Sequence, residues 1–300
     1  MESFSVGLSE VVLTRGLPDS LLPRSDARRQ AVVLTQPGAG LYADRVAKLL
    51  KDENLSVEVI GLPDRDEAKS IDVAITLYDR FARMGLARTD TVVTVGGGSV
   101  TDVGGFVAGT WMRGIEVVHI PTTLLAAVDA SVGGKTGINM GGKNLVGVFW
   151  EPSRVVIDYA ILDELPSMLV LEGLAEVLKA GFIGDLDLIG VIESEGLDAP
   201  LESVVPAALR VKAKYVRSDL RESSERAFLN FGHTFGHAVE FASSLSHGVS
   251  VGIGMVAAAA VSEQVADFSG RVRLYEIVTR LGIYSDVSGL DRNRVYDLLF

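Results

Sequence analysis

The chain has 300 residues, and at about 150 residues per domain this length suggests two domains or one large one. Apolar residues make up 48% and mean hydropathy is +0.31, which excludes a disordered chain; the absence of cysteine excludes disulfides, thiolate catalysis and cysteine-based zinc sites. Acidic residues outnumber basic ones 39 to 28, a formal charge of −11 that repels polyphosphate and argues against nucleic acid as a partner.

The start, Met1-Glu2-Ser3-Phe4, lacks the basic-then-apolar layout of a secretion signal. Ala31–Thr35 reads as a strand, and 41–54 as a helix with apolar residues at helical spacing. A second strand follows at 56–62, then a long amphipathic helix over 67–86 that Gly85 ends. The third strand, 91–95, runs into Gly96-Gly97-Gly98-Ser99 and a helical stretch over 100–111. Strands at 117–120 and 155–158 complete a pattern that argues for a mostly parallel sheet covered on both faces. From Leu169 onward the periodicity is helical: 169–183, 201–217, 226–242, 250–268, 271–281 and 291–300. The expected organisation is an α/β domain over 1–166 and an all-helical domain over 167–300. The longest apolar run, 249–261, is too short to span a bilayer, so a cytoplasmic protein without membrane contact is expected. The chain stops abruptly at Leu298-Leu299-Phe300, which suggests a shortened chain.

Three clusters carry chemistry. Residues 96–147 hold 13 of the 32 glycines. The glycines at 96–98 join a strand to a helix, where backbone N–H groups can approach a phosphate, and Asp102 is placed in the first helical turn beyond them. Asp129 to Asn144 packs lysines and asparagines among glycines; such a stretch cannot form a packed core element and suggests an anion site in an otherwise acidic protein. Three of the four histidines are His233, His237 and His247. Arg226, Asn230, His233 and His237 fall at i, i+4, i+7 and i+11, so one helix is expected to present all four on one face. The spacing proposes His233 and His237 as a metal-binding pair, with His247 or a carboxylate as third ligand. Glu176, sharing a helix face with Lys179, is the carboxylate of choice. His119, alone in its strand, reads as a core histidine.

These residues resemble a known family. Gly96 to Ser99, Pro121 to Leu125, Val128 to Thr136, Gly142 to Gly147, Gly173 to Lys179 and Leu229 to His237 are similar, in order, to the motifs of 3-dehydroquinate synthase. The resemblance implies a Rossmann-like NAD-binding domain, a helical metal-binding domain and a homodimer. It implies closure of the sugar phosphate DAHP to 3-dehydroquinate, through transient oxidation by NAD, phosphate elimination, re-reduction and an intramolecular aldol step. A divalent metal, zinc or cobalt, polarises the oxygen being oxidised. By the same resemblance the metal ligands are Glu176, His233 and His247, and His237 faces the substrate instead of the metal. Asp129, Lys135, Lys179, Arg226, Asn230 and His237 take catalytic roles. Arg113, Asn144 and Lys212 bind substrate, Arg113 reaching across the dimer. NAD contacts Asp66, Lys69, Gly97, Gly98, Asp102, Thr122, Thr123, Leu125, Lys135 and Lys143.

The chain departs from the pattern at several places. Met168-Leu169 replaces an Arg-Glu pair, Asp219-Leu220 replaces an Asp-Glu pair, and the segments 135–143 and 237–247 are short. The chain also ends before the family's basic C-terminal loop. The alternatives are another sugar phosphate cyclase, of aminodehydroquinate or valiolone synthase type, a related metal-dependent alcohol dehydrogenase, or a truncated non-catalytic remnant.

Overall fold

The computed structural model describes residues 1–219, 224–243, 245–283 and 289–299. Leu220 and Phe300, on which the Asp219-Leu220 and chain-end expectations bear, lie outside the described residues. The chain divides into two compact units, Met1–Glu164 and Leu165–Phe300.

The first unit is built from β1 (Glu2–Val6), β2 (Ser9–Thr14), β3 (Gln30–Thr35), α1 (Gly40–Asp52), β4 (Ser56–Gly61), α2 (Ile71–Met84), β5 (Thr91–Gly96), α3 (Gly98–Thr110), β6 (Glu116–Pro121), β7 (Lys135–Ile138), β8 (Val146–Phe149), β9 (Arg154–Asp158) and α4 (Tyr159–Leu162). Its main sheet runs β1-β2-β9-β6-β5-β3-β4. All neighbours are parallel except β1 and β2. Val33, Val93 and Val118 are partners across β3, β5 and β6 and have no exposed surface, as expected where both faces of a parallel sheet are covered. One apolar cluster joins the sheet to α2 and α3, and another packs α1 on the opposite face.

The amino-terminal edge is tied by charge: Arg28 donates to Thr91 at 2.7 Å and to Glu116, while Asp90 accepts from the backbone of Arg29 and Gln30. That leaves the carboxyl edge, where Gly97 and Thr122 follow β5 and β6, as the end of an open α/β sheet where ligands bind.

Two expectations change here. The long helix over 67–86 is broken into a 3₁₀ turn, Arg65–Lys69, and α2, because Ser70 is extended and its hydroxyl caps α2 by accepting from the Val73 N–H. The glycine-rich stretch 129–144 is not only loop: β7 pairs antiparallel with β8, and Ile138 is fully buried.

The second unit contains α5 (Ser167–Gly184), α6 (Leu186–Glu195), α7 (Leu201–Ser218), α8 (His233–Ala242), α9 (His247–Ala266), α10 (Arg271–Arg280) and α11 (Arg292–Asp297). The helix expected over 226–242 is two pieces: a 3₁₀ turn, Glu225–Asn230, and α8. Gly232 sits between them at φ +82°, where a Cβ would lie 2.8 Å from the Met255 backbone nitrogen of α9. The close crossing of α8 and α9 therefore selects glycine and breaks the helix, so Arg226 and Asn230 do not share a helical face with His233 and His237. Helix α9 is longer than the apolar run the sequence marks. By length and composition it could cross a membrane; within the unit it packs against α5, α8 and α10.

Candidate active site

In the α/β unit, Gly97 is the N-cap of α3. A Cβ there would meet Thr123 Cγ2 at 3.3 Å and Gln36 Nε2 at 3.4 Å, so the bare backbone leaves a hollow at the helix N-terminus, suited to a phosphate. The Thr122 N–H donates to the Gly96 carbonyl at 2.9 Å, and Thr123 Oγ1 accepts from the Ala126 N–H at 3.2 Å. Leu125 leads into a π-helical turn, Ala126–Ala130, that carries Asp129. Gln36 Oε1, on the side chain beside Gly97, and Thr35 Oγ1, one residue earlier at the end of β3, are buried and have no hydrogen-bond partner among the described residues. Buried polar atoms are ordinarily satisfied. Unpaired polar atoms at this strand end, one of them on a side chain against a bare helix N-terminus, therefore fit a polar dinucleotide such as NAD. Sequence reasoning missed Thr35 and Gln36; the available signal was their position at a strand's carboxyl end.

Lys69 links several of the other residues. Its ammonium donates to Asp102 Oδ2 at 2.5 Å and to the Asn144 side-chain oxygen, and Lys143 Nζ lies 3.0 Å from Asp66 Oδ2. Asn144 adopts φ +56°, and its N–H donates to Asn139 Oδ1 at 3.0 Å; the Asn139 N–H in turn reaches the Lys69 carbonyl. Asp102 lies in the second turn of α3, not the first, and instead of capping the helix it pairs with Lys69. Burial pushes its carboxyl up and the Lys69 charge opposes that. Lys135 is exposed at the start of β7. Arg113 lies apart from this group. It is exposed in the turn that follows α3, about 20 Å along the helix from Gly98 at 1.5 Å per residue.

In the helical unit, α5 carries Glu176 and Lys179, an i, i+3 ion pair with both side chains almost wholly buried. His233 is the first residue of α8 and His247 the first of α9, so two helix starts bring their imidazoles to α5. Glu176 Oε1 is 3.5 Å from His233 Nε2 and 3.7 Å from His247 Nε2, and one ligand atom from each of the three lies within 4.8 Å of the others. Tetrahedral coordination at about 2.1 Å would set such donors about 3.4 Å apart. A buried carboxylate with two imidazoles at this spacing therefore fits a divalent metal with an open position. Burial works against charge on His247, but hydrogen bonds to Glu176 and Glu240 outweigh it and push its pKa up to about 10.

The His233 and His237 ring centroids are 5.3 Å apart, yet it is His247, not His237, that joins Glu176 and His233. Lys212 on α7 and Arg226 in the 3₁₀ turn are buried, while Asn230, at the end of that turn, is exposed. Asp219 Oδ2 accepts from the backbone of Ser224 and Arg226, which fixes the start of the turn. Met168 is exposed in the first turn of α5.

A parallel sheet with a glycine-marked helix N-terminus, followed by a helical unit, is the fold of several solved sugar phosphate cyclases and, less closely, of iron-containing alcohol dehydrogenases. A solved 2-deoxy-scyllo-inosose synthase, complexed with carbaglucose-6-phosphate, NAD+ and Co2+, superposes with a TM-score of 0.87 at 25% identity, over 99% of this chain and 86% of that one. The 2-epi-5-epi-valiolone synthase of Streptomyces hygroscopicus shares the fold (TM-score 0.86, 24% identity, 100% and 86% coverage). An iron-containing alcohol dehydrogenase shares it less closely, with a TM-score of 0.70 at 15% identity, over 97% of this chain and 89% of that one. Sequence narrows the choice. The family models for the 3-dehydroquinate synthase N-terminal and C-terminal parts match residues 59–172 and 173–300. The 3-dehydroquinate synthase of Rhodococcus erythropolis is 46% identical over 83% of this chain and 70% of its own length. That of Corynebacterium jeikeium is 40% identical over 94% and 80%. The chain belongs to the 3-dehydroquinate synthase family.

Proposed function

We propose that the chain converts DAHP to 3-dehydroquinate and inorganic phosphate, using NAD and a divalent metal, zinc or cobalt. The observation that carries this reading is in the helical unit: a metal-spaced Glu176, His233 and His247 set accompanied by three buried cations, Lys179, Lys212 and Arg226. Lys179 already pairs with Glu176, and a concentration of positive charge in the unit that carries the metal set suits an anionic substrate such as a sugar phosphate better than a neutral alcohol. When bound, NAD and the metal would supply reversible oxidation of a substrate hydroxyl and polarisation of its oxygen.

The chain's own groups do the rest. Gly97 and Gly98 open the α3 N-terminus to the dinucleotide phosphates, with Thr122, Thr123 and Leu125 along the neighbouring strand end. Asp66, Lys69, Asp102 and Lys143 flank the remainder of the dinucleotide. Lys179, Lys212 and Arg226 hold substrate anions, and this local positive charge outweighs a distant acidic surface across a Debye length of about 8 Å; Lys135 of the α/β unit is assigned to the substrate as well. Asp129, Asn144 and Asn230 orient the hydroxyls. His237, outside the ligand set, is left to hold or move a proton at the substrate. Exposed Arg113 is assigned to the substrate of a neighbouring copy in a homodimer.

The test is phosphate release from DAHP by metal-reconstituted protein, with and without NAD, and after chelation. Release is expected only with both present, with 3-dehydroquinate formed and no net NADH. No release from folded protein that binds both would overturn the reading. Release only from other sugar phosphates would move the chain to another cyclase activity, such as that of the 2-deoxy-scyllo-inosose synthase whose fold it shares.

A further inference from the structure

We propose that Glu240 is a positioning residue for the metal site: it holds His247 so that the ring presents Nε2, and not Nδ1, to the ion. This rests on the reading that Glu176, His233 and His247 hold a divalent metal.

Glu240 lies in the last turn of α8, seven residues after His233, and α9 opens at His247. Its Oε2 is 3.3 Å from His247 Nδ1, while Nε2 of the same ring faces Glu176 Oε1 at 3.7 Å. A neutral imidazole has one protonated nitrogen and one lone pair, and only the lone pair coordinates. A carboxylate at Nδ1 keeps the proton there, leaves the lone pair on Nε2 and makes the ring a stronger donor. The Glu240 side chain is largely buried, so water does not compete freely for that contact. His233 has a counterpart: its Nδ1 lies 3.5 Å from the Phe231 carbonyl, immediately before the Gly232 break. Each ligand imidazole therefore has its own acceptor behind it, one from backbone and one from a side chain.

The same carboxylate could instead ligate a second ion, because ligand atoms of His237, Glu240 and His247 also lie within 4.8 Å of one another. The two roles compete for one nitrogen. If Nδ1 bound a second ion while Nε2 bound the first, the ring would have to lose both protons, a far harder ionisation than losing one. Positioning is the reading that leaves His247 an ordinary neutral ligand.

The experiment is Co2+ binding to metal-free protein, by competition with a chromophoric chelator and by d–d absorption, for the wild type, Glu240→Gln, Glu240→Ala and Glu176→Ala. The wild type is expected to bind one ion. Glu240→Ala should weaken binding about 10- to 100-fold with the stoichiometry kept. Glu240→Gln, which retains an acceptor, should fall between and also serves if the alanine variant does not fold. The absorption bands should shift in both. Wild-type affinity and spectrum in Glu240→Gln and Glu240→Ala would overturn the proposal while leaving the metal reading intact. So would two ions in the wild type, one of them lost with Glu240. No Co2+ binding by the wild type, or binding undiminished in Glu176→Ala, would sink the metal reading and this proposal with it.

Discussion

His119 shows how a single residue's surroundings set a property of the whole chain. It is fully enclosed in β6, with Nδ1 2.7 Å from Thr94 Oγ1 of the adjacent strand, and burial lowers its pKa to about 3. The unfolded chain binds a proton at this side chain near pH 6.5 and the folded chain does not until about pH 3. Its contribution is therefore fully present above pH 6.5 and is lost as pH falls toward 3, by about 1.4 kcal/mol per pH unit in between. The variant His119→Asn should show a shallower loss of stability between pH 6 and pH 4, by about that slope, in urea melts at several pH values. Equal slopes would mean that His119 is protonated in the native sheet. The reading of His119 as a core residue needed only its isolation among valines. Glu240 is the opposite case, since a carboxylate late in a helix is unremarkable in sequence and gains meaning only when α9 brings His247 beside it.

At the scale of elements, the legible parts were those whose partners do not matter. Strands β3, β5 and β6 are β-branched runs that stay strands against any neighbours, and Gly85 caps α2 at φ +64° as a terminal glycine should. The hairpin of β7 and β8 was hidden because four-residue strands carry too little alternation to stand out among glycines. The break at Gly232 was hidden for a different reason. The spacing of Arg226, Asn230, His233 and His237 is continuous, and what interrupts it is the α9 backbone, brought close by tertiary packing. The candidate site divides likewise. Spacing alone proposed the local pair His233 and His237 and left His247 and Glu176 as candidates for a third ligand; replacing His237 by both of them needed the family resemblance, because ligands from separate helices leave no local period. The Gly232→Ala variant tests the break. The left-handed conformation costs a β-carbon about 1–2 kcal/mol, and the encounter with Met255 adds to it, so a loss of about 2 kcal/mol or more is expected in urea melts. Gly190→Ala is the control: it lies inside α6 with open space around it and should gain roughly 0.5–1 kcal/mol. A neutral Gly232→Ala would mean that α8 can continue through this residue.

At the scale of the molecule, each compact unit has its own buried groups and its own proposed ligand, so the two ligands should leave separate footprints. A ligand that binds only folded protein stabilises it by about 2.7 kcal/mol at a concentration one hundred times its dissociation constant. Local openings are suppressed most where that ligand touches. Hydrogen exchange with NAD alone should therefore slow amides after β3, β5 and β6 and in the first turns of α3. Exchange with Zn2+ alone should slow the first turns of α8 and α9 and the middle of α5, where Glu176 sits. The first turn of a helix is a sensitive reporter, because its N–H groups lack partners within the helix and exchange readily unless something holds the turn closed. Protection by Zn2+ confined to the α/β unit would contradict the assignment of the metal to Glu176, His233 and His247. Protection by NAD absent from the strand ends would do the same for the dinucleotide, whatever the activity measurement had shown.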